Sequence, residues 1–369
     1  NKIFKVIWNR TTQSLVVVSE LAKGQVKSSS DASAPTVASR VSKVFKLSAV
    51  ALATLGGTGH ASAITSAMTQ FNGHTGNYLV AAGGGTATGT GSIAIGHDSS
   101  ADRGGVAYGR FAKGTAPNSA AYGIATKALG TKSVAVGSDA VANTEFTVAV
   151  GAGANSTGNS AIATGANSVA NGIGNIATGG GANATGNGAV ATGTSSVANG
   201  NNAVALAANA NATGAKAIAI GSDSKSLAES TLAIGNNASA SAYTATALGT
   251  NAAASGQKAI AISAGPNSTT ATELAAIAIG SDSKALGNSS LAIGDSANAI
   301  QENAIAVGRN SNASNIGATA IGNNANAAIL ATAVGNNTAA SGRGASAFGT
   351  SANATGAQAT AIGFSAKAT

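Results

Sequence analysis

Few side chains in this chain of 369 residues are suited to covalent or metal chemistry. Cysteine is absent, which removes disulfides and thiolate metal sites. The three histidines are His60, His74 and His97. His60 falls in an N-terminal leader, and the other two have no partner at metal-ligand spacing, so they read as solvated loop residues. Four aspartates, Asp98, Asp139, Asp223 and Asp282, each stand two positions after a glycine. A calcium roll would need dense GGxGxD nonapeptides, which do not occur, so these aspartates read as turn formers. The glycine run at 83–85 is not followed by Lys-Ser/Thr and does not read as a phosphate loop. No catalytic, cofactor or metal residue is assigned, and the chain is not expected to be an enzyme.

The glycines that precede those aspartates belong to a longer pattern. The stretch AIAIGSDSK occurs at 217–225 and again at 276–284. From residue 92 onward the recurring core is a small residue, an aliphatic, alanine, an aliphatic and glycine. Clear copies carry Ile93, Ile95 and Gly96; Val134, Val136 and Gly137; Ile218, Ile220 and Gly221; Leu291, Ile293 and Gly294. The last position of the core runs from 96 to 363 in about twenty units spaced by 14, with two steps of 13 and one of 17. Ala207 and Ser263 replace the glycine in two units. A fixed short period over most of the chain marks a repeat array.

Each core alternates with the strand period of two, so Ile93 and Ile95 share one face and Ser92, Ala94 and Gly96 the other. The second half of each unit, as in SDSKSLAES, reads as another short strand between turns. One unit therefore fits one coil of an all-β solenoid with two strands and two turns. Both faces of the first strand are apolar. Small side chains suit a narrow interior, and the aliphatic face then needs a second surface, most simply another copy of the chain. Sequence alone leaves open which face points inward.

Ordering 14 residues costs roughly 20 kcal/mol, whereas two buried aliphatics return roughly 3–6 kcal/mol, so a single unit cannot fold alone. Residues 64–91 depart from the pattern and are expected to form an irregular cap. Residues 264–272, with Pro266, hold the three extra residues of the long unit and are expected to bulge as a tolerated insertion. Tyr108, Phe111, Tyr122, Tyr243, Phe348 and Phe364 flank the cores and are expected to pack.

Composition supports an unusual architecture. There are 50 glycines, 3% aromatic and 9% charged residues, yet 44% hydrophobic residues. The net charge of +8 lies mostly in residues 1–63, where eight Lys/Arg face Glu20 and Asp31. No basic stripe follows, so nucleic acid is not an expected partner. Lys43 and Lys46, the apolar run to Leu55 and the small residues Ala61-Ser62-Ala63 read as a signal peptide core over 43–63. Cleavage is expected after Ala63, leaving Ile64 first.

Ahead of it, NKIFKVIWNR with Lys5, Trp8 and Asn9, and VSELAK with Glu20, resemble the extended signal peptide region of large Gram-negative autotransporters; here that region is 1–42. The cores GSIAIGHDS (91–99), KAIAIGSDS (216–224), AAIAIGSDS (275–283) and NAIAVGRNS (303–311) resemble the head repeats of trimeric autotransporter adhesins of the YadA type. That resemblance, over the leader and residues 92–369, implies a left-handed parallel β-roll, a homotrimeric head, Sec-dependent export and an adhesive role at the cell surface. The ligand it would meet is a host matrix or cell-surface component, with autoaggregation as a further expectation. The family's leading Asn-Ser pair is replaced here by Gly91-Ser92 or Lys216-Ala217, which weakens an expectation of collagen binding. A stalk and C-terminal barrel anchor are not found before Thr369, so outer-membrane contact is expected only through an anchor beyond this chain. Rival readings are an ice-binding solenoid, which needs a regular threonine ladder, a six-residue-rung acyltransferase, which the period of 14 does not fit, and a structural spacer.

Overall fold

The computed structural model describes residues 4–9, 14–19, 79–263 and 265–369. The chain divides into two units, Asn1–Ser62 and Ala63–Thr369. In the first, β1 (Phe4–Asn9) and β2 (Ser14–Ser19), both rich in aliphatic and β-branched residues, pair as an antiparallel hairpin. Lys5 pairs with Val18 and Trp8 with Leu15, and Asn9 ends β1. Glu20, the histidines His60 and His74, and the cleavage residues Ala61, Ala63 and Ile64 lie outside the described residues.

The second unit consists of two ladders of parallel strands, with twenty-one strands in each and no helix among the described residues. The coil at 217–230 shows the plan. Ile218–Ile220 forms its strand in the first ladder and Lys225–Ser226 its strand in the second. Like residues stack on like positions: Ile218, Ala219 and Ile220 pair with Leu232, Ala233 and Ile234 above and with Val204, Ala205 and Leu206 below. The Ile218 amide donates to the Thr231 carbonyl at 2.9 Å, and the Gly221 amide to the Leu206 carbonyl at 2.9 Å. The Ser224 amide closes the corner onto the Gly221 carbonyl at 3.2 Å. A repeat of 14 keeps this register from coil to coil, so every backbone group of a strand meets the same partner type.

Between the ladders lies the interior. Every buried apolar residue among those described is alanine. Ser and Thr make up most of the rest, and the largest fully buried side chain is Asn175. Asn175 is accommodated by bonding: its Nδ2 donates to the Ala184 carbonyl at 2.7 Å and its Oδ1 accepts from the Ala189 amide at 2.9 Å. Ala219 is fully buried, while Ile218 and Ile220 beside it point outward and are half-buried. Alternation with period two thus settles the open question of the faces: a coil this short encloses only Cβ-sized groups, and the aliphatics face out.

The expected irregular cap at 64–91 needs correction in its described part. β3 (Val80–Ala82) and β4 (Thr86–Ala87) form a full coil, paired with β5 (Ile93–Ile95) and β6 (Ser100–Ala101). Ala82 stands where later coils have a second aliphatic, which hides the pattern in sequence. The ladder tolerates it because that position faces outward. Residues 64–78 lie outside the described residues.

The glycine that ends each core is a backbone requirement. Gly96 has φ 130°, and a Cβ there would come within 2.6 Å of the Gly109 carbonyl in the next coil. Ala207 holds the same place at φ 110°, a conformation an L side chain rarely adopts.

Candidate interaction surface

The outward residues of the first ladder form two columns. One contains Ile93, Val134, Ile218 and Leu291; the other contains Ile95, Val136, Ile220 and Ile293. Each core residue singled out by sequence therefore lies on this outer face, and Gly96, Gly137, Gly221 and Gly294 lie at its edge. Neighbouring strands are about 4.8 Å apart, so twenty-one rungs extend the face for roughly 100 Å. Its aliphatics are half-buried because each packs on the rungs above and below, and their outer sides remain uncovered. Thr164, Thr178 and Thr192 interrupt the second column on three successive rungs before Leu206 restores it.

The second ladder has a different outer surface. Its outward residues include Lys113, Lys127, Asn155, Asn183, Asn211, Lys225, Lys284 and Asn298. Just beyond the strands, Thr157 Oγ1 donates to Asn171 Oδ1 at 2.6 Å, and Thr185 Oγ1 to Asn199 Oδ1 at 2.8 Å. These residues form a polar, hydrogen-bonding face.

Two corners join the ladders. Each places a residue in the left-handed region, at seven-residue spacing: Asp223 (φ 58°), Ser230 (φ 57°), Asn237 (φ 54°) and Thr244 (φ 55°). Asp98, Asp139, Asp223 and Asp282 all hold this corner position, with φ between 54° and 58°. Short polar side chains suit it, because they tolerate this conformation at least cost. Several such residues also bridge coils: Asn237 Nδ2 donates to Asn251 Oδ1 at 2.9 Å, and Asn324 Nδ2 to Asn337 Oδ1 at 3.0 Å. Phe111, Phe146 and Leu330 occupy the same positions with φ 60°, 58° and 53°. A seven-residue recurrence of Asn, Asp, Ser and Gly could have revealed these corners in sequence; a Phe or Leu there gives no such signal.

The aromatic residues are a second correction. Tyr108, Phe111, Tyr122, Tyr243, Phe348 and Phe364 do not pack inside; all are exposed, Tyr108 at 56% and Phe364 at 81%. An interior that accepts alanine and serine has no room for a ring. Of the histidines, His97 is described; its Nδ1 lies 2.9 Å from Asp98 Oδ2 at an open corner. Among the described residues, no three of His, Asp and Glu gather as a metal site would require.

The long coil places its insertion at one corner, after Ile260–Ile262 and before Thr269–Ala271. It is tied to the preceding coil, since Asn251 Nδ2 donates to the Pro266 carbonyl at 2.6 Å and Ser268 Oγ to the Asn251 carbonyl at 3.3 Å. With Gly249, Thr250 and Ser263, residues Gly265 and Pro266 line a small surface notch.

A leader in front of a parallel β-solenoid whose outer surfaces recur coil by coil defines an exported surface protein. Residues 1–55 match the Extended Signal Peptide of the Type V secretion system. The YadA head domain repeat matches residues 87–105, 128–154, 184–262, 271–297, 299–325 and 328–366, more than half of the chain. No curated protein matches it. The chain belongs to the family of trimeric autotransporter adhesins that carry YadA head repeats, and it is exported to the cell surface at the outer membrane.

Proposed function

We propose that three copies of this chain mate through the outer face of the first ladder to form a head that attaches cells to host matrix, host cells or other surfaces, and to one another. The observation that carries the reading is the contrast between the outer faces: one ladder presents at least one aliphatic on nearly every rung, and the other presents mostly amides, hydroxyls and lysines, with Val141, Val169 and Val197 among them. Completing the burial of two aliphatics per coil contributes a sizeable part of the roughly 3–6 kcal/mol that full burial would give. Ten coils carry two such aliphatics and most of the others carry one, which is ample to hold three chains together. The polar ladder and the corners then face outward and repeat along the head. Attachment comes from avidity, in which many weak contacts of one kind act at once. The role needs no covalent chemistry. The same reading assigns 1–42 to the extended signal region, 43–63 to the cleaved signal peptide, and the coils from Val80 to Thr369 to the head.

The test is sedimentation of the exported chain over a wide dilution range, paired with attachment of cells that display it to matrix-coated glass. A stable trimer and display-dependent attachment are expected. A monomer at micromolar concentration would refute the assembly, and attachment equal to that of cells lacking the chain would refute the adhesive role.

A further inference from the structure

Charge is distributed unevenly along the head. From Arg103 to Ser138 there are five cations, Arg103, Arg110, Lys113, Lys127 and Lys132, and no acidic residue. Lys113 and Lys127 are paired in register on adjacent rungs of the second ladder, about 4.8 Å apart along the stack. No other two lysines in that column are neighbours. Both are exposed, and neither belongs to an ion pair.

The equivalent coil at 276–289 shows what is different. There the corner residue is Asp282, and Lys284 Nζ lies 3.4 Å from its Oδ1. In the coils of Lys113 and Lys127, the same corner holds Phe111 and Ala125. The carboxylate that would neutralise the lysine is gone, and in one coil a ring replaces it. Arg110 lies over the Phe111 ring at 4.6 Å from its centroid, with the edge of His97 on the same ring at 6.0 Å. Tyr108 and Tyr122, paired on adjacent rungs of the first ladder, lie on the other side of this corner and are exposed. Asp98 and Asp139 occupy the corner one rung to either side, so the acid-free patch is two rungs tall.

From this patch we infer a binding site for an anionic polysaccharide, a sulfated or uronic-acid chain, on the coils of residues 106–132. Arg110, Lys113 and Lys127 pair with its sulfates or carboxylates. The exposed ring of Phe111, at the corner and off the mating face of the first ladder, packs against the C–H face of a sugar, a contact that a phosphate backbone alone does not use. A cell-surface protein meets such polymers, and a linear ladder suits a linear ligand. The inference depends on the proposed function only for the exposure of these coils outside the cell.

The exported full-length chain is titrated with heparin, with a neutral dextran of equal length, and with double-stranded DNA of matched charge. Binding is expected for heparin, weakening as salt rises, and not for dextran. The double variant Lys113→Gln/Lys127→Gln is expected to bind heparin about tenfold more weakly, the scale of losing two exposed charge contacts. The double variant Lys225→Gln/Lys284→Gln makes the same change in net charge on the same ladder and is expected to stay within about twofold of the parent. Phe111→Asn suits its left-handed corner, so the fold is retained, and it is expected to reduce heparin binding two- to threefold by releasing Arg110 from its ring. Equal losses in the two lysine pairs would overturn the patch as a site, and DNA bound as tightly as heparin would overturn the glycan as its ligand. Attachment of displaying cells, measured with the same variants, separates this result from the adhesin reading, since heparin binding can fail while attachment by other coils persists.

Discussion

The two ladders share one backbone plan and differ in what they turn outward. Both stack coil on coil in the same register, and both line the interior with alanine and serine. Strands of the first ladder are three residues long and expose two residues, mostly aliphatic; most strands of the second are two residues long and expose one residue, commonly Lys or Asn. Because strand side chains alternate, interior and exterior are chosen independently. The inner set fixes the coil, and the outer set of the first ladder fixes what the coil associates with. The ladders should therefore respond differently to substitution.

The largest effect is expected on the outer face of the first ladder. Ile218→Asp with Ile220→Asp forfeits roughly 3–6 kcal/mol of aliphatic burial per chain and sets like charges from every copy into the proposed interface. The expected result is a trimer that dissociates at lower denaturant in sedimentation, with the β-type circular dichroism of each chain kept. If the pair instead unfolds the chain and leaves assembly of the folded fraction intact, the division between inner and outer roles fails.

Next comes the corner glycine that both ladders share. In Gly221→Val, the side chain meets the Gly235 carbonyl, since a Cβ there lies 2.5 Å from it, at a backbone φ of 123°. Strain and overpacking together should cost about 3 kcal/mol, read as a lower thermal midpoint with the oligomeric state unchanged below it. Ala207→Gly runs the other way. Relief of the φ of 110° at Ala207 should raise stability by about 1–2 kcal/mol, measured by denaturant unfolding of the same chain.

The period, the two strands per coil and the alanine/aliphatic alternation could all be read in sequence, because a repeat of 14 shows the same choice twenty times. Three features escaped it wholly or in part. The first coil, Val80–Ala87, was hidden by Ala82, since the ladder's hydrogen bonds do not require the aliphatic that marks the motif. Beside the cores the aromatics read as packing residues, but a coil that encloses only Cβ-sized groups forces Tyr108 and Phe111 outward. The cationic patch is only half legible: a period of 14 stacks Lys113 on Lys127, but which side chains face outward and which corners lack a carboxylate emerge only from the folded coil.

The smallest predicted effect concerns a corner rather than a ladder, and so tests whether the turns are governed by backbone preference alone. Leu330 adopts φ 53° and is 54% exposed, so its side chain gains little from burial while its backbone is held where leucine is disfavoured. Asparagine is the residue chosen at Asn310, Asn324 and Asn337, which hold comparable left-handed corners. Leu330→Asn should therefore stabilise the fold by about 0.5–1 kcal/mol, half or more of the usual left-handed penalty, with no change in assembly. The measurement is a shift in the denaturant midpoint at constant slope. A loss of stability would mean that Leu330 is covered by a neighbouring copy. This corner would then count with the outer face of the first ladder as part of the association surface.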